Sequence, residues 1–529
     1  MTVPADSALD ARTFGPVEVV RLPALVRGQL RIPTWPRVRD IRRVVAEPRD
    51  YVQGPTDEGT YLVAHRIVDR DSLRPTDQVQ VRVVPAFDPQ ELIEPDAPAA
   101  IRELMGVSAA EVCAFVDELG TIVAATSPGM RLAATTSTLS GRFLSATAAH
   151  VAGLFDGEGV RHMMEAELGP SRTQSIETWT SQTEPVSQGV AARMAANEDD
   201  LRPPGQRQRP PVLRAVPTTQ LHITAGNSPV VPVTSLLWAW ASRGASVLKP
   251  AAETIPVVAD IGSAISRVDA SHPLVRHTTL AYWRGGEDRV ERVLLADGAF
   301  DRRLVWGSAA ALQGVAGYGS ATETLAMRPR YAISFIGGTD LAADLEGSAR
   351  RAAADTVVAD QQACMSSLVH VVVGTTDDAD RYARALNDVM SRWDEVFPHR
   401  ATNSSTGGIV SMRRGLLATA PWHANGEWPH VTSAVVRLDR PFDLASHPGG
   451  RLVVVRAVPE LWSALPTVLT SDVSHVGVSQ DLLSTELMDR FVSFGVDNVL
   501  PLGESERVYA GRPHDGMQVL SRLTRWVTG

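Results

Sequence analysis

Lysine is almost absent from this chain. Of its 51 basic side chains only Lys249 is a lysine; all the others are arginine. Cysteine is as scarce. Cys113 and Cys364 are too few for a disulfide framework or a cysteine-rich zinc site. The 13 histidines are scattered, and His423 with His430, the nearest to a metal pair, lack a helical i, i+4 spacing and a third ligand. No bound metal is expected. The most apolar stretch, Val230 to Ala241, is too short to span a bilayer and carries Pro232. There is no basic run, and the formal charge of −9 argues against nucleic acid as a partner. The first residues are polar and acidic, unlike a secretory signal, so a cytoplasmic location is expected.

What is present suits a globular protein with large cores. Hydrophobic residues make up 44% of the 529 and charged residues 21%, and the length suggests roughly two to four domains. Residues 1–95 carry short apolar runs, such as 61–64 and 79–84, that read as strands joined by turns. The acidic, proline-rich stretch 87–99 reads as a linker. Leu104, Val107, Val112, Phe115, Val116 and Leu119 recur at roughly helical spacing, and Cys113 inside that pattern reads as a buried core thiol. Residues 201–211 read as an exposed loop.

From residue 212 the texture changes to strand, turn, helix, strand, helix. Strands are expected over 212–223, 245–248, 278–283 and 303–306, with helices over 232–243, 254–268 and 287–296. That alternation predicts a parallel sheet with helices on its faces, and ligands on such sheets bind at the C-terminal strand ends. Lys249 and the pair Gly307-Ser308 fall at those ends. A chain that uses arginine everywhere else keeps one lysine where a thin stem and a compact ammonium fit and a planar fork does not. Cys364 lies in Gln361-Gln362-Ala363-Cys364-Met365-Ser366-Ser367, between an expected helix, 348–358, and an expected strand, 369–373. A cysteine in a polar turn of small residues reads as an accessible nucleophile.

These motifs, in this order, resemble the aldehyde dehydrogenase superfamily. Asn227-Ser228-Pro229 matches its Asn-x-Pro turn, Lys249-Pro250-Ala251 its Lys-Pro-Ser/Ala strand end, Trp306-Gly307-Ser308 its Phe-x-Gly-Ser motif, and Gln362-Ala363-Cys364 its Gln-x-Cys nucleophile. Within it the chain is most similar to the LuxC-type acyl-CoA reductases. The stretch from His222 to Asn227, the pair Ser366-Ser367 after the cysteine, and a tail with Gly495 to Gly503 and Asp515-Gly516 carry that likeness. The resemblance covers roughly 100–525. It implies an α/β fold with a Rossmann-type cofactor domain and an α/β catalytic domain bearing the nucleophile. The expected layout is a strand-rich segment over 1–95, a cofactor domain over 96–325, a catalytic domain over 326–475, and a C-terminal segment over 476–529 that completes the fold or an oligomer interface.

The resemblance also implies a chemistry. Cys364 attacks an acyl thioester, the Asn227 amide and the Cys364 backbone N–H hold the oxyanion, and an acyl-enzyme is reduced to the aldehyde. Thr224, Ala225, Lys249, Gly307 and Ser308 would bind the cofactor, Lys249 at the adenosine ribose or its 2′-phosphate. NADPH is expected, with NADH as the alternative, because Ala252 leaves room for a 2′-phosphate. The substrate would be an acyl-CoA or an acyl-carrier protein, with an acyl-activating ligase as a possible partner and a homo-oligomer as the expected state. Hydrolytic members carry Glu-Leu-Gly-Gly-Lys; here Glu323 stands in the matching stretch without the glycines, as a water-activating base or an ordinary helical glutamate. The motif Glu-x-Phe-Gly-Pro has no clean match, and His447-Pro448-Gly449-Gly450 is the nearest piece. The competing readings are a hydrolytic aldehyde dehydrogenase and a non-catalytic partner of an acyl-activating enzyme.

Overall fold

A computed structural model describes residues 10–46, 52–53, 55–125, 128–181, 212–399, 403–415, 418–507 and 510–529. The loop expected over 201–211 lies outside them.

The N-terminal strands form a five-stranded sheet in which Pro75–Pro85 lies between Val17–Arg21 and Thr60–Val68. Alternate residues feed two cores, as the period of a strand requires. Leu62 and Ala64 pack with Val79, Val81 and the helix Val38–Ala46, whereas Tyr61 and Val63 pack toward the next sheet.

That next sheet has seven strands. Five run parallel, in the spatial order Glu323–Met327, Arg302–Trp306, Thr219–Ile223, Ala245–Lys249 and Thr278–Leu280. Two N-terminal strands, Ala24–Val26 and Gln29–Arg31, extend it in antiparallel fashion. From the central strand Thr219–Ile223 the chain builds one side of the sheet and then returns to build the other. The reversal opens a crevice beyond the C-terminal ends of the strands, where such sheets bind ligands. The stretch 212–223 splits into Val212–Val216, which belongs to a separate three-stranded sheet, and Thr219–Ile223, which is central here; the other expected strands and helices are found with shifted ends. The helix Val230–Ala241 is buried nearly all round, which explains its uninterrupted apolar sequence.

A second seven-stranded sheet carries Ser367–Val373 between Tyr331–Ile336 and Leu452–Val458, all parallel. A hairpin of Trp422–Glu427 and His430–Arg437 closes one edge. The tail spans both units. Asn498–Pro501 forms the other edge of the second sheet, the helix Val519–Leu523 enters the core of the first unit, and Arg525–Thr528 pairs with Val212–Val216.

Two expectations are corrected. The stretch 87–99 is no linker: it folds into the helices Pro89–Leu92 and Ala97–Leu104. Asp88 and Asp96 accept backbone N–H groups at their starts, and a proline follows each cap in the first turn, where its missing N–H costs nothing. Glu323 is not helical; it opens the strand Glu323–Met327. Cys113 is buried in the first core, as its helical setting suggests. Among the described residues no helix is long and apolar enough to cross a membrane.

Glu167 ties the tail to this core. Its carboxylate accepts the Leu520 N–H at 2.6 Å and bonds Trp238. Burial pushes its pKa up to about 7, against those two opposing hydrogen bonds. An acid raised in the folded state takes its proton along on folding, so stability falls as pH climbs from the ordinary carboxyl range to about 7. Glu167→Gln keeps an acceptor and removes the charge. It should raise the melting temperature at pH 8 by an amount worth a few kcal/mol at most, and leave it nearly unchanged at pH 5. A lower melting temperature at pH 8 would show that the fold stabilises the Glu167 carboxylate instead of penalising it.

Candidate active site

Three strand ends and one turn converge at the crevice. Ile223 is paired with Lys249 on one side and Val305 on the other. Thr224 then turns the chain by donating its N–H and its hydroxyl to the Lys249 carbonyl, at 3.0 and 3.1 Å. Thr224 is thereby buried and occupied, and Ala225 follows it half-buried. Gly226 comes next, close against Glu253: a Cβ here would lie 2.2 Å from the Glu253 carboxylate, so a larger residue would have to push that side chain aside. Asn227 comes after it and reaches the other sheet, with Nδ2 donating to the Gln362 carbonyl at 3.1 Å. The fold therefore brings together two motifs that lie far apart in sequence.

Lys249 is 9% exposed. Its ammonium lies 5.6 Å from the ring centroids of both Tyr282 and Trp283. Burial lowers its pKa to about 8, with Glu291 and Glu253 opposing. On the far side of the crevice Gly307 packs so closely that a Cβ would come within 2.9 Å of Ala311. Ser308 caps the helix Ala309–Ala316, accepting the Ala311 N–H at 3.3 Å. An exposed helix start at one strand end suits a pyrophosphate, and a lysine at a strand end on the other side of Thr219–Ile223 suits a ribose or phosphate edge. The donor set thus fits a nicotinamide dinucleotide. Glu253, near Lys249, puts negative charge where Ala252 alone suggested open space.

Cys364 sits in a tight turn closed by the Ser366 N–H on the Ala363 carbonyl at 3.0 Å, and by the Ala363 N–H on the Ser366 hydroxyl at 3.3 Å. The open setting expected for the thiol is not what the fold provides. Cys364 is half-buried, and burial pushes its thiol up to about 11, with Asp515 adding to the rise and Arg512 opposing it. Just upstream, Ala359, Asp360 and Gln361 have φ of 45°, 55° and 60°. Each non-glycine residue in that region costs on the order of 1–2 kcal/mol, and such strain gathers at functional sites.

Glu323 is occupied elsewhere. It accepts the Nε and Nη2 of Arg522 at 2.8 and 2.5 Å and pairs with Arg302 at 3.3 Å. Trp240 is core, edge-on to Phe115 with its indole N–H on Thr278. Trp238 reaches the site side, stacked on Trp306 at 5.9 Å. Sequence reasoning missed His514 and Asp515 as neighbours of the site. The His514 ring packs 4.7 Å from Trp306, and Asp515 Oδ1 is buried with no hydrogen-bond partner among the described residues. Their one visible signal was the Asp515-Gly516 pair, which gave a family likeness and no role. No cluster of three or more His, Cys, Asp or Glu side chains is placed to hold a metal among the described residues.

The fold is that of the aldehyde dehydrogenases. The lactaldehyde dehydrogenase of Escherichia coli superposes with a TM-score of 0.67 over 97% of this chain and 99% of its own, at 13% identity. An oxidoreductase from Marinobacter aquaeolei does so with 0.65 over 96% and 98%, also at 13%. The profile of the acyl-CoA reductase (LuxC) family matches residues 203–526, and the chain belongs to that family. It is 25% identical over 312 residues to the long-chain acyl-protein thioester reductase 2 of Photobacterium leiognathi, covering 58% of this chain and 63% of that one. The Vibrio harveyi long-chain acyl-protein thioester reductase is 24% identical over 325 residues, covering 60% and 65%. The matches span under two thirds of these relatives' own length.

A thiol with a raised pKa is a small thiolate fraction at neutral pH, rising about tenfold per pH unit below that pKa. Alkylation of Cys364 by iodoacetamide should therefore climb from pH 7 to pH 9 without a plateau. Asp515→Asn removes a nearby negative charge and should speed alkylation at pH 8 several-fold. A plateau near neutrality, or no change in Asp515→Asn, would place Asp515 outside the thiol's field.

Proposed function

We propose that this protein reduces an acyl thioester to the aldehyde through a covalent acyl-enzyme on Cys364. The observation that carries the proposal is the Asn227–Gln362 hydrogen bond, which sets an amide donor beside the turn that bears the thiol. The Cys364 thiolate bonds to the thioester carbonyl carbon. The Asn227 amide and the Cys364 backbone N–H hold the oxygen that becomes negative. When this intermediate collapses, the carbon–sulfur bond to the carrier breaks, and the carrier thiolate leaves and takes up a proton. The acyl group remains on Cys364 as a thioester.

A reduced nicotinamide dinucleotide, NADPH in our reading, supplies the hydride when bound. Lys249 would hold its adenosine ribose or 2′-phosphate, and Gly307 with the Ser308-capped helix its pyrophosphate. After reduction Asn227 steadies the second oxyanion, the bond to the Cys364 sulfur breaks, and the aldehyde leaves with the thiolate restored. Water has to be kept from the acyl-enzyme meanwhile. The two arginines holding Glu323 favour that outcome over the hydrolytic reading, in which Glu323 would activate water. The long-chain thioester reductase relatives support a fatty acyl donor, carried by CoA, a carrier protein or an acylated partner enzyme. A homo-oligomer and an acyl-activating ligase partner belong to the same proposal.

The test follows NADPH absorbance with a saturated acyl-CoA series. Wild type should oxidise NADPH and Cys364→Ala should not. Asn227→Ala should lose about a hundredfold to a thousandfold in kcat. Turnover in Cys364→Ala at the wild-type rate would end the nucleophile assignment. The cofactor groups have a separate readout. Lys249→Arg should raise the KM for NADPH while Cys364 still becomes acylated. Glu253→Gln should shift preference from NADH toward NADPH by about tenfold, worth about 1.4 kcal/mol. Unchanged cofactor constants in both variants would remove this end of the crevice from the cofactor site.

A further inference from the structure

The backbone that carries Cys364 is held from behind. Ala359, Asp360 and Gln361 are the one run of three successive left-handed residues without a glycine among the described residues. The segment packed against them shares that conformation, with φ of 70°, 72° and 56° at Gly449, Gly450 and Arg451. Two hydrogen bonds clasp the runs together. Arg451 Nε donates to Asp360 Oδ1 at 2.8 Å, and Gln361 Nε2 donates to the Leu452 carbonyl at 2.7 Å.

Further bonds extend the clasp, although Gln361 Oε1 and His399 Nε2 are buried without a hydrogen-bond partner among the described residues. The second Asp360 oxygen accepts His399 Nδ1 at 2.7 Å. The Arg451 Nη1 donates to Asp394 at 2.6 Å, and the other Asp394 oxygen accepts the Ser433 hydroxyl at 2.7 Å. The Arg451 and Asp360 side chains are 2% and 6% exposed. Burial alone would raise the Asp360 carboxyl, yet His399 and Arg451 hold it below the ordinary range. A charge pair this deep is costly to desolvate, and replacing it by apolar packing is often neutral or stabilising. Simple stability is therefore a poor reason for it. Its location, directly behind a strained turn that leads into the thiol, supplies a better one.

We propose that Asp360 and Arg451 are a positioning pair for the nucleophile. They clamp residues 359–361 in the left-handed conformation and so aim the Gln362 carbonyl at Asn227 and fix the Cys364 sulfur in register with the oxyanion donors. The segment His447-Pro448-Gly449-Gly450 gains a role by this: it delivers Arg451 to the back of the turn. The proposal rests on Cys364 being the nucleophile.

Three variants test it by single-turnover acylation of Cys364 from saturated acyl-CoAs, read by mass spectrometry without cofactor, alongside thermal melting. Asp360→Asn keeps the shape and weakens the clamp. Ala359→Gly adopts the same left-handed φ freely and relieves the strain, so it folds at least as well. Arg451→Lys keeps the charge but not the fork that spans two carboxylates. Asp360→Asn should slow acylation about tenfold to a hundredfold, at little change in the donor concentration giving half-maximal rate, with Arg451→Lys between it and wild type. Ala359→Gly lessens the need for the clamp, so alone it should acylate at about the wild-type rate, and added to Asp360→Asn it should restore part of the lost rate, a rescue that a purely structural role does not produce. Wild-type acylation rates in Asp360→Asn, or no rescue by Ala359→Gly, overturn the positioning pair and leave the nucleophile intact. If wild type itself forms no adduct at Cys364 with any donor, the nucleophile assignment fails first.

Discussion

A thiol on one sheet has to meet a turn on another, and the hydrogen bond from Asn227 to the Gln362 carbonyl is where the two meet. A bond of this kind contributes only about 0.5–1.5 kcal/mol. It cannot hold two sheets in place, so it depends on an alignment set elsewhere. The tail supplies that alignment. Asn498–Pro501 belongs to the second sheet, while Val519–Leu523 and Arg525–Thr528 belong to the first unit. The segment between them carries His514 and Asp515 past the crevice. The same piece of chain that registers the two halves thus also furnishes one wall of the site, and Glu167, bonded to both Leu520 and Trp238, anchors that wall to the core.

The skew toward arginine has a structural expression. Arg82, Arg243, Arg303 and Arg451 are among the largest fully buried side chains. Arg243 and Arg303 spend their guanidinium forks largely on main-chain carbonyls, Arg243 on Val107 and Ala215, Arg303 on Leu295, Ala296 and Gly319, while Arg82 divides its fork between the Ala252 carbonyl and the side chains of Gln80 and Thr136. A five-donor fork can satisfy several carbonyls at once where an ammonium would leave some unmet. Lys249 sits in a different kind of place, a slot beside two aromatic rings with two carboxylates nearby. The slot suits a thin stem, which gives the lone lysine a steric reason as well as a compositional one.

How much of this was legible in the sequence depended on whether the signal was local. The strand-turn-helix alternation from residue 212 was readable, because buried parallel strands and their flanking helices differ in length and punctuation. So was the order of Asn227, Lys249, Gly307-Ser308 and Cys364, since each ends a strand or occupies a turn. The helices at 89–92 and 97–104 were hidden by the prolines that start them; a proline behind an aspartate marks a helix start as well as a linker. The left-handed run at 359–361 had no signal, as alanine and glutamine do not advertise that conformation. Asp515 and His514 reach the site only through the tail's return, and nothing in their neighbourhood of sequence announces it. The thiol's partial enclosure was missed for the same reason, because the polar residues around Cys364 in sequence are not what encloses it in space.

That raised pKa bears on which reaction the site favours. Moving a thiol from an ordinary 9 to about 11 costs roughly a hundredfold in thiolate at neutral pH, of which about tenfold returns as greater intrinsic nucleophilicity. The remaining deficit belongs to the free thiolate alone. The proposed thioester at Cys364 would bear no charge, so neither burial nor Asp515 would oppose it. The surroundings that penalise the free thiolate do not penalise a neutral thioester, and a thiolate this costly is a poor leaving group for attacking water to expel. A hydrolase gains nothing from an intermediate that persists. The proposed reductase needs it to last until the reductant is in place, and a half-buried thiol beside the Asp515 carboxyl suits that need.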